Sequence, residues 1–599
     1  MELREYLKHK TLLFDGAMGT YFRSVHPEYP GKCELANCNA PAKVAEVHKN
    51  YLESGARAIK TNTFAANTHA LECKFDEVRT VIRQGWKIAT KVAEPYRAFV
   101  FADIGPITDP NGEYEQIVDE FLALGAKNFL FETWSDDDDL YALAAYIKAR
   151  CPDAFLIASF AVSPDGFTRQ GLSARAVLER VTNCPVIDAA GFNCVSGPNH
   201  LLAQARANAD LFGKERPAAD PAMLSVMPNA GYPTIVDGRT FFENRAGYFA
   251  SRMVEIVAAG AKIIGGCCGT TPEHIRLTAE ALNEEEIKPE PAAAQVEVKP
   301  REVKNRLADK FAAKKRVIAV ELDPPADDNL EKFMAGAKAL KEAGVDAVTI
   351  ADCPIARARA DSSLLAAKLR RELDIDPIPH MTCRDRNINA TKALLLGLSA
   401  EEVRNVLVVT GDPIPSAERD EVKGVFSFNS AVLAGYIREL GEQGVTAPFR
   451  VFGALNVNAA NFEVELRKAK RKVEQGVAGF LTQPVFTSRA FENLIHAHEE
   501  LDADILGGVI PIVSHRNALY MNNEVAGIEI SQGVINRYEG LDREAAEDLA
   551  VDLSVQLAQR MEPYTAGWYF ITPFQRVSLI TRILRELREL NKSTETDPS

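Results

Sequence analysis

Cys194, in Gly191-Phe192-Asn193-Cys194, and the adjacent pair Cys267-Cys268, in Gly265-Gly266-Cys267-Cys268-Gly269, carry the most pointed chemistry in this chain. Neighbouring cysteines are badly placed to bridge each other. Two thiolates closing one apolar run and a third closing another can instead converge on one Zn²⁺. That leaves the fourth tetrahedral position for a ligand, the pattern of a catalytic site. A thiol entering that position becomes a thiolate near neutral pH. Cys33, Cys38, Cys73, Cys151 and Cys184 lack such partners and read as small packed side chains. Ten cysteines over 599 residues are too sparse for a disulfide scaffold, so the expected compartment is a reducing cytoplasm.

A second group lies in the other half of the chain. Glu321 falls in Val320-Glu321-Leu322-Asp323-Pro324-Pro325 and His380 in Pro379-His380-Met381-Thr382-Cys383. Thr410-Gly411-Asp412-Pro413, Thr482-Gln483-Pro484 and Pro573-Phe574-Gln575-Arg576 follow, with Lys472 in a charged helical stretch. A carboxylic acid such as Glu321 can deliver a proton near neutral pH only where burial holds its pKa up.

The elements that must position these residues follow from spacing. Between Asn283 and Lys304 the composition turns to Glu, Pro and Ala without periodic apolar residues, which describes an extended tether. It separates residues 1–285 from 306–599, with 286–305 as linker, and each part has the size of a (β/α)₈ barrel. β-rich runs recur at Thr11–Phe14, Ala56–Lys60, Ala98–Asp103, Lys127–Phe131, Phe155–Phe160, Val186–Phe192, Met223–Met227 and Lys262–Gly265. The second part repeats the count at Arg316–Leu322, Ala347–Ile350, Pro377–His380, Asn405–Val409, Arg450–Ala454, Gly479–Thr482, Leu506–Pro511 and Trp568–Ile571. The expected fold is therefore α/β, two (β/α)₈ barrels. Neither part opens with the Gly-x-Gly-x-x-Gly turn of a doubly wound sheet.

Barrel enzymes place chemistry where strands end. Those positions hold Asp15, Asn62, Glu132, Cys194, Asn229 and Cys267-Cys268 in the first part, and Glu321, Thr349, His380, Asp412, Gln483 and Arg576 in the second. A formal net charge of −14 and the absence of a basic stripe exclude a nucleic-acid surface. No apolar stretch approaches the roughly 20 residues of a membrane span. The charged N-terminus is unlike a signal peptide. Nothing in the sequence decides for or against a homo-oligomer.

Phe14-Asp15-Gly16-Ala17-Met18-Gly19-Thr20, Thr61-Asn62-Thr63-Phe64, Phe131-Glu132-Thr133 and the two cysteine segments resemble, in order and spacing, the homocysteine S-methyltransferase family. The resemblance implies Zn²⁺ held by Cys194, Cys267 and Cys268, with homocysteine as the thiol. Asp15, Gly16, Asn62 and Glu132 would then bind its amino-acid end. A carboxylate suits the α-ammonium, and backbone N–H groups at a glycine turn suit the α-carboxylate. Met227-Pro228-Asn229-Ala230-Gly231 is similar to the homocysteine-binding half of cobalamin-dependent methionine synthases. The chain has no Asp-x-His-x-x-Gly corrinoid motif, so a corrinoid used here must arrive on a separate protein.

The second group resembles methylenetetrahydrofolate reductase over about residues 314–580, carried by the Glu-x-x-Pro-Pro, Gly-Asp and Thr-Gln-Pro elements. The resemblance implies FAD, a hydride from NAD(P)H and 5,10-methylenetetrahydrofolate as substrate. Glu321 would protonate N10, and the charge of Asp412 would favour the cationic iminium. Thr349, His380, Thr410, Gly411, Asp412, Glu465 and Lys472 would hold FAD. Folate would meet Glu321, Gln483, His515 and Arg576. The expectation is a bifunctional one-carbon enzyme. The competing expectation keeps one barrel active and makes the other a folate- or homocysteine-sensing module.

Overall fold

A computed structural model describes residues 2–595 apart from 108–110, 138, 217–218, 233, 237–238, 242–244, 285–286, 291–301, 413–423, 426–427 and 526. Most of the expected tether therefore lies outside the described residues. The chain divides into two units, Met1–Val296 and Glu297–Ser599.

In the first unit the parallel strands are β1 Leu12–Leu13, β2 Ala58–Lys60, β3 Phe99–Ile104, β4 Asn128–Trp134, β5 Phe155–Phe160, β6 Ala189–Asn193, β7 Met223–Met227 and β10 Ala261–Ile264. They run in the order β1-β10-β7-β6-β5-β4-β3-β2. A single bridge, Phe14 to Ala58, joins the two ends of that sheet. Each expected run overlaps one of these strands. An antiparallel hairpin, β8 Thr234–Val236 with β9 Arg239–Phe241, was not expected.

The second unit is a closed parallel barrel. Its strands are β11 Val317–Leu322, β12 Ala347–Ile350, β13 Asp376–Thr382, β14 Asn405–Val409, β15 Arg450–Leu455, β16 Val477–Pro484, β17 Asp504–Val509 and β18 Gly567–Ile571.

Strand alternation sorts side chains into layers. Leu12, Phe14, Ala58, Phe101, Leu130, Ile157, Ala189 and Ile263 fill the interior of the first barrel, joined by Leu3 and Leu7 of the helix Leu3–His9. Arg4 of that helix binds Asp188 and the Ala154 carbonyl at 2.5 and 3.1 Å, just ahead of β6 and β5. The second barrel repeats the device: Leu307 and Phe311 join its interior, and Arg306 binds Asp376 at the start of β13 at 3.0 Å. Both barrels are thus plugged at the N-terminal ends of their strands, which leaves the C-terminal ends for ligands.

Two candidate active sites at the barrel mouths

Cys194 directly follows β6, and Cys267-Cys268 lie just beyond β10. Their three sulfurs lie within 4.8 Å of one another, with Cys194 and Cys268 3.7 Å apart. A tetrahedral ion with Zn–S bonds near 2.3 Å requires sulfur pairs about 3.8 Å apart, so the set fits Zn²⁺. Hydrogen bonds from the other two thiols hold Cys194 down, to about 3, and in consequence Cys267 is pushed up to about 12 and Cys268 further. Only one of three packed sulfurs can ionise alone. A dication lets all three do so.

The backbone around the sulfurs is strained and stitched. Cys194 and Val195 both adopt left-handed φ of 56°, as does Thr133 at 61°, a conformation that side-chain-bearing residues hold only under external constraint. The constraint is visible. Asn193 Nδ2 donates to Thr133 Oγ1 at 2.7 Å and to Glu132 Oε1 at 3.4 Å, and reaches Cys267 Sγ at 3.8 Å, while its Oδ1 accepts the Thr133 N–H at 3.0 Å. On the other side, Thr270 Oγ1 donates to the Cys267 carbonyl at 2.7 Å and accepts from Ala17 N at 3.0 Å. A Cβ on Gly16 would meet Thr270 Oγ1 at 2.5 Å and Tyr51 at 2.8 Å, so only glycine lets this turn approach the cysteine loop.

Beside the sulfurs lies a buried charge cluster in which Asp15 and Glu132, expected from the sequence, are joined by Lys60 and Asp103, which were not. Lys60 is 4% exposed and donates to Glu132 Oε1 at 3.0 Å, with Asp15 Oδ1 4.0 Å away. Its backbone N–H also binds Asp15 Oδ2 at 3.1 Å. Burial alone would lower Lys60, but the charges of Glu132 and Asp15 hold it well above its usual range. Burial lifts Asp15 to about 7 against the pull of Lys60, and lifts Glu132 likewise. Asp103 is raised furthest, by burial and then by the charge of Glu132. One cation thus faces three carboxylates, and the buried oxygens Asp15 Oδ1 and Asp103 Oδ1 have no hydrogen-bond partner. The arrangement suits an incoming ammonium group. Asn62 is not turned toward this cluster: its amide binds the Cys33 carbonyl and Asn37 Oδ1 at 2.8 and 2.9 Å.

In the second barrel Glu321 on β11 stands beside Thr349 on β12 in register. Its Oε2 accepts from the Tyr569 hydroxyl and lies 3.6 Å from His380 Nε2. Burial, then the charge of Asp323, raise Glu321 to about 7. His380 is held neutral by burial, down to about 4, and its Nε2 has no hydrogen-bond partner.

The loops after β12, β13 and β14 are tied by another unforeseen network. Buried Arg384 binds Asp385 at 2.8 and 2.7 Å, the Asp412 carbonyl at 3.1 Å and the Cys353 carbonyl at 3.3 Å. Arg386 joins Asp352 and Asp361, each at 2.7 Å. Thr410, Gly411 and Asp412 leave β14 against this network, with Gly411 at φ 94°. The orphaned His380 nitrogen and the buried acid Glu321 thus lie at the C-terminal ends of β13 and β11, and Gly411, where a Cβ would meet Thr382 and Arg384 at 3.2 Å, packs close against the neighbouring loop.

Other expected residues are more committed. Lys472 donates to the Ala454 carbonyl at 3.0 Å and is lowered by burial. Glu465 accepts from Asn456 N at 3.3 Å. Arg576 is paired with Glu547 at 3.1 Å, so an anion there must compete with that carboxylate. Gln483 lies on β16, and His515 opens the helix His515–Glu524 that follows β17.

Two parallel eight-stranded barrels, each plugged below and polar above, place the chain in the (β/α)₈ class. Residues 12–282 match the family model for homocysteine S-methyltransferase, and residues 306–588 that for methylenetetrahydrofolate reductase; the chain joins a domain of each family. It is 30% identical over 310 residues to methionine synthase of Mycobacterium tuberculosis and 29% identical to that of Mycobacterium leprae. Each match covers 47% of this chain and 25% of the relative, so the chain spans about a quarter of these relatives' length. Among solved structures, the metallated homocysteine methyltransferase MmuM from Escherichia coli aligns with 46% of this chain and 99% of its own, at 22% identity and a TM-score of 0.38. Its apo form aligns at 24% identity and a TM-score of 0.37, covering 47% and 98%. Among the described residues, no helix is long and apolar enough to cross a membrane.

Proposed function

We propose that residues 1–285 methylate homocysteine to methionine on Zn²⁺, and that residues 306–599 reduce 5,10-methylenetetrahydrofolate to 5-methyltetrahydrofolate with FAD and NAD(P)H. The observation that carries the first reading is the convergence of Cys194, Cys267 and Cys268 beside a buried cluster in which one cation faces three carboxylates. Zn²⁺ held there supplies the charge that makes a bound thiol nucleophilic. Glu132 and Asp15 take the α-ammonium, the turn at Gly16 takes the α-carboxylate, and Asn193 fixes Glu132 and Cys267 relative to each other.

In the second barrel, bound FAD supplies hydride transfer between nicotinamide and folate. The residues Thr349, His380, Thr410, Gly411, Glu465 and Lys472 would hold it, and Gln483, His515 and Arg576 would meet the folate. Glu321, kept protonated by burial, delivers its proton to N10 of the methylene-folate, which opens the five-membered ring. Asp412 places negative charge near the resulting cation. All ten cysteines are free, which suits a reducing, cytoplasmic setting.

The methyl donor of the first barrel is a small molecule or a separate methylated corrinoid protein. An N5-methyl amine leaves poorly, whereas a sulfonium leaves readily. The test is a metal and flavin inventory of the purified full chain, followed by assays for both activities with each donor supplied singly. One zinc, one flavin and both turnovers support the proposal. A colourless protein that takes up no FAD would reduce the second barrel to a folate-binding module.

A further inference from the structure

Tyr569 carries no signature in the sequence, yet its hydroxyl donates to Glu321 Oε2. Its ring belongs to the apolar interior of the barrel, with Ala319, Ile378, Leu407 and Leu506. Tyr569 pairs in register with Ala319, two residues before Glu321 on β11, so the phenol rises toward the carboxyl group from the barrel floor. In a close-packed interior the ring cannot leave without opening a void.

The phenol is a donor at any physiological pH, because burial, then the charge of Glu321, hold it well above 10. The other groups facing Glu321 do not help its charged form. His380, from β13, is neutral and 3.6 Å from the same oxygen. Asp323, from the same chain segment, opposes ionisation. Thr349 stands alongside on β12. Among the described residues, Tyr569 is the partner that favours the carboxylate.

We propose that Tyr569 is the positioning residue for Glu321: its hydroxyl claims Oε2, so the transferable proton sits on Oε1 and the carboxylate left after transfer keeps a partner. This rests on the reading of Glu321 as general acid. In the step, the Oε1–H bond breaks, a new N–H bond forms on the substrate amine, and the Tyr569 O–H bond stays intact throughout.

The experiment is an infrared titration of the full-length protein, following the protonated-carboxyl stretch assigned by its loss in Glu321→Gln. It is paired with the pH profile of kcat/KM for methylene-folate reduction. Tyr569→Phe keeps the ring and removes the donor, and is expected to raise the midpoint by about one pH unit. The high-pH limb of activity should move up with it. Site-specific 3-fluorotyrosine at position 569, a stronger donor, is expected to move the midpoint down. Midpoints unchanged in both variants overturn the proposal. A shifted titration with an unshifted rate profile keeps the pairing of Tyr569 with Glu321 but removes Glu321 from the chemistry, which separates the failure of the general-acid reading from that of the pairing.

Discussion

The Lys60 ammonium lies 3.0 Å from Glu132 Oε1 and 4.0 Å from Asp15 Oδ1, a single buried cation between the two carboxylates proposed to receive an amino acid. Removing one member of such a group strands the others without compensation, at about 3–5 kcal/mol. Lys60→Met is expected to lose that much stability in urea denaturation at pH 7 and to raise the KM for homocysteine more than it lowers kcat. A stability loss under about 1 kcal/mol would show that the cation is not coupled to its neighbours.

The sulfur cage predicts a metal dependence confined to one barrel. Cys267→Ala should drop bound zinc from one per chain to near zero and abolish methionine formation, while flavin content and folate reduction persist. Chelation of the wild-type protein should reproduce the effect and added zinc reverse it. Full methyl transfer by metal-free protein would end the assignment.

Asn193 joins Thr133, Glu132 and Cys267 through one amide. Asn193→Ala leaves buried donors and acceptors unpaired, at about 1–3 kcal/mol. It also frees the left-handed Thr133. Because groups behind metal ligands tune affinity by about 10–100-fold, zinc competition titrations should show a loss in that range. Unchanged affinity would demote Asn193 to a packing residue.

Glu321 predicts a stability that depends on pH in a defined direction. Its folded pKa is raised from 4.5 to about 7, so its contribution is fully present below about 4.5 and is lost as pH rises through 7. Glu321→Gln, which cannot ionise, should therefore stabilise the second barrel at pH 8 by up to about 3 kcal/mol. At pH 5 the gain should be much smaller. His380, buried neutral, acts in the opposite sense as pH falls below 6.5, and it is common to both proteins in the comparison. Equal gains at both pH values would show that Glu321 does not titrate in this range.

Much of this was legible in the sequence for physical reasons. Short β-rich runs marked every barrel strand, because buried parallel strands are apolar on both faces. The cysteines stood out because an adjacent pair has little structural use. The charged network did not stand out. Lys60 ends an apolar run, where a solvated strand-end lysine is the ordinary expectation, and its burial depends on Glu132 lying 72 residues away. Arg384 and Tyr569 were hidden for the same reason, since the Cys353 and Asp412 carbonyls and the Glu321 carboxyl that meet them lie far off in sequence. Asn62 stands at a strand end, which suggested ligand contact, and its amide nitrogen is bonded to Asn37 Oδ1 and the Cys33 carbonyl, partners no local pattern announces.

The first barrel is closed at one place by a single Phe14–Ala58 bridge beside a strand of only two residues. Fluctuations begin where the fewest bonds must break, so this stave is the first to part when the cylinder breathes. Asp15 is fastened to that seam through its N–H to the Ala58 carbonyl. Amide exchange at Asp15 and Arg57, whose N–H groups span the seam to the Ala58 and Leu13 carbonyls, therefore reports how often the seam that carries Asp15 opens.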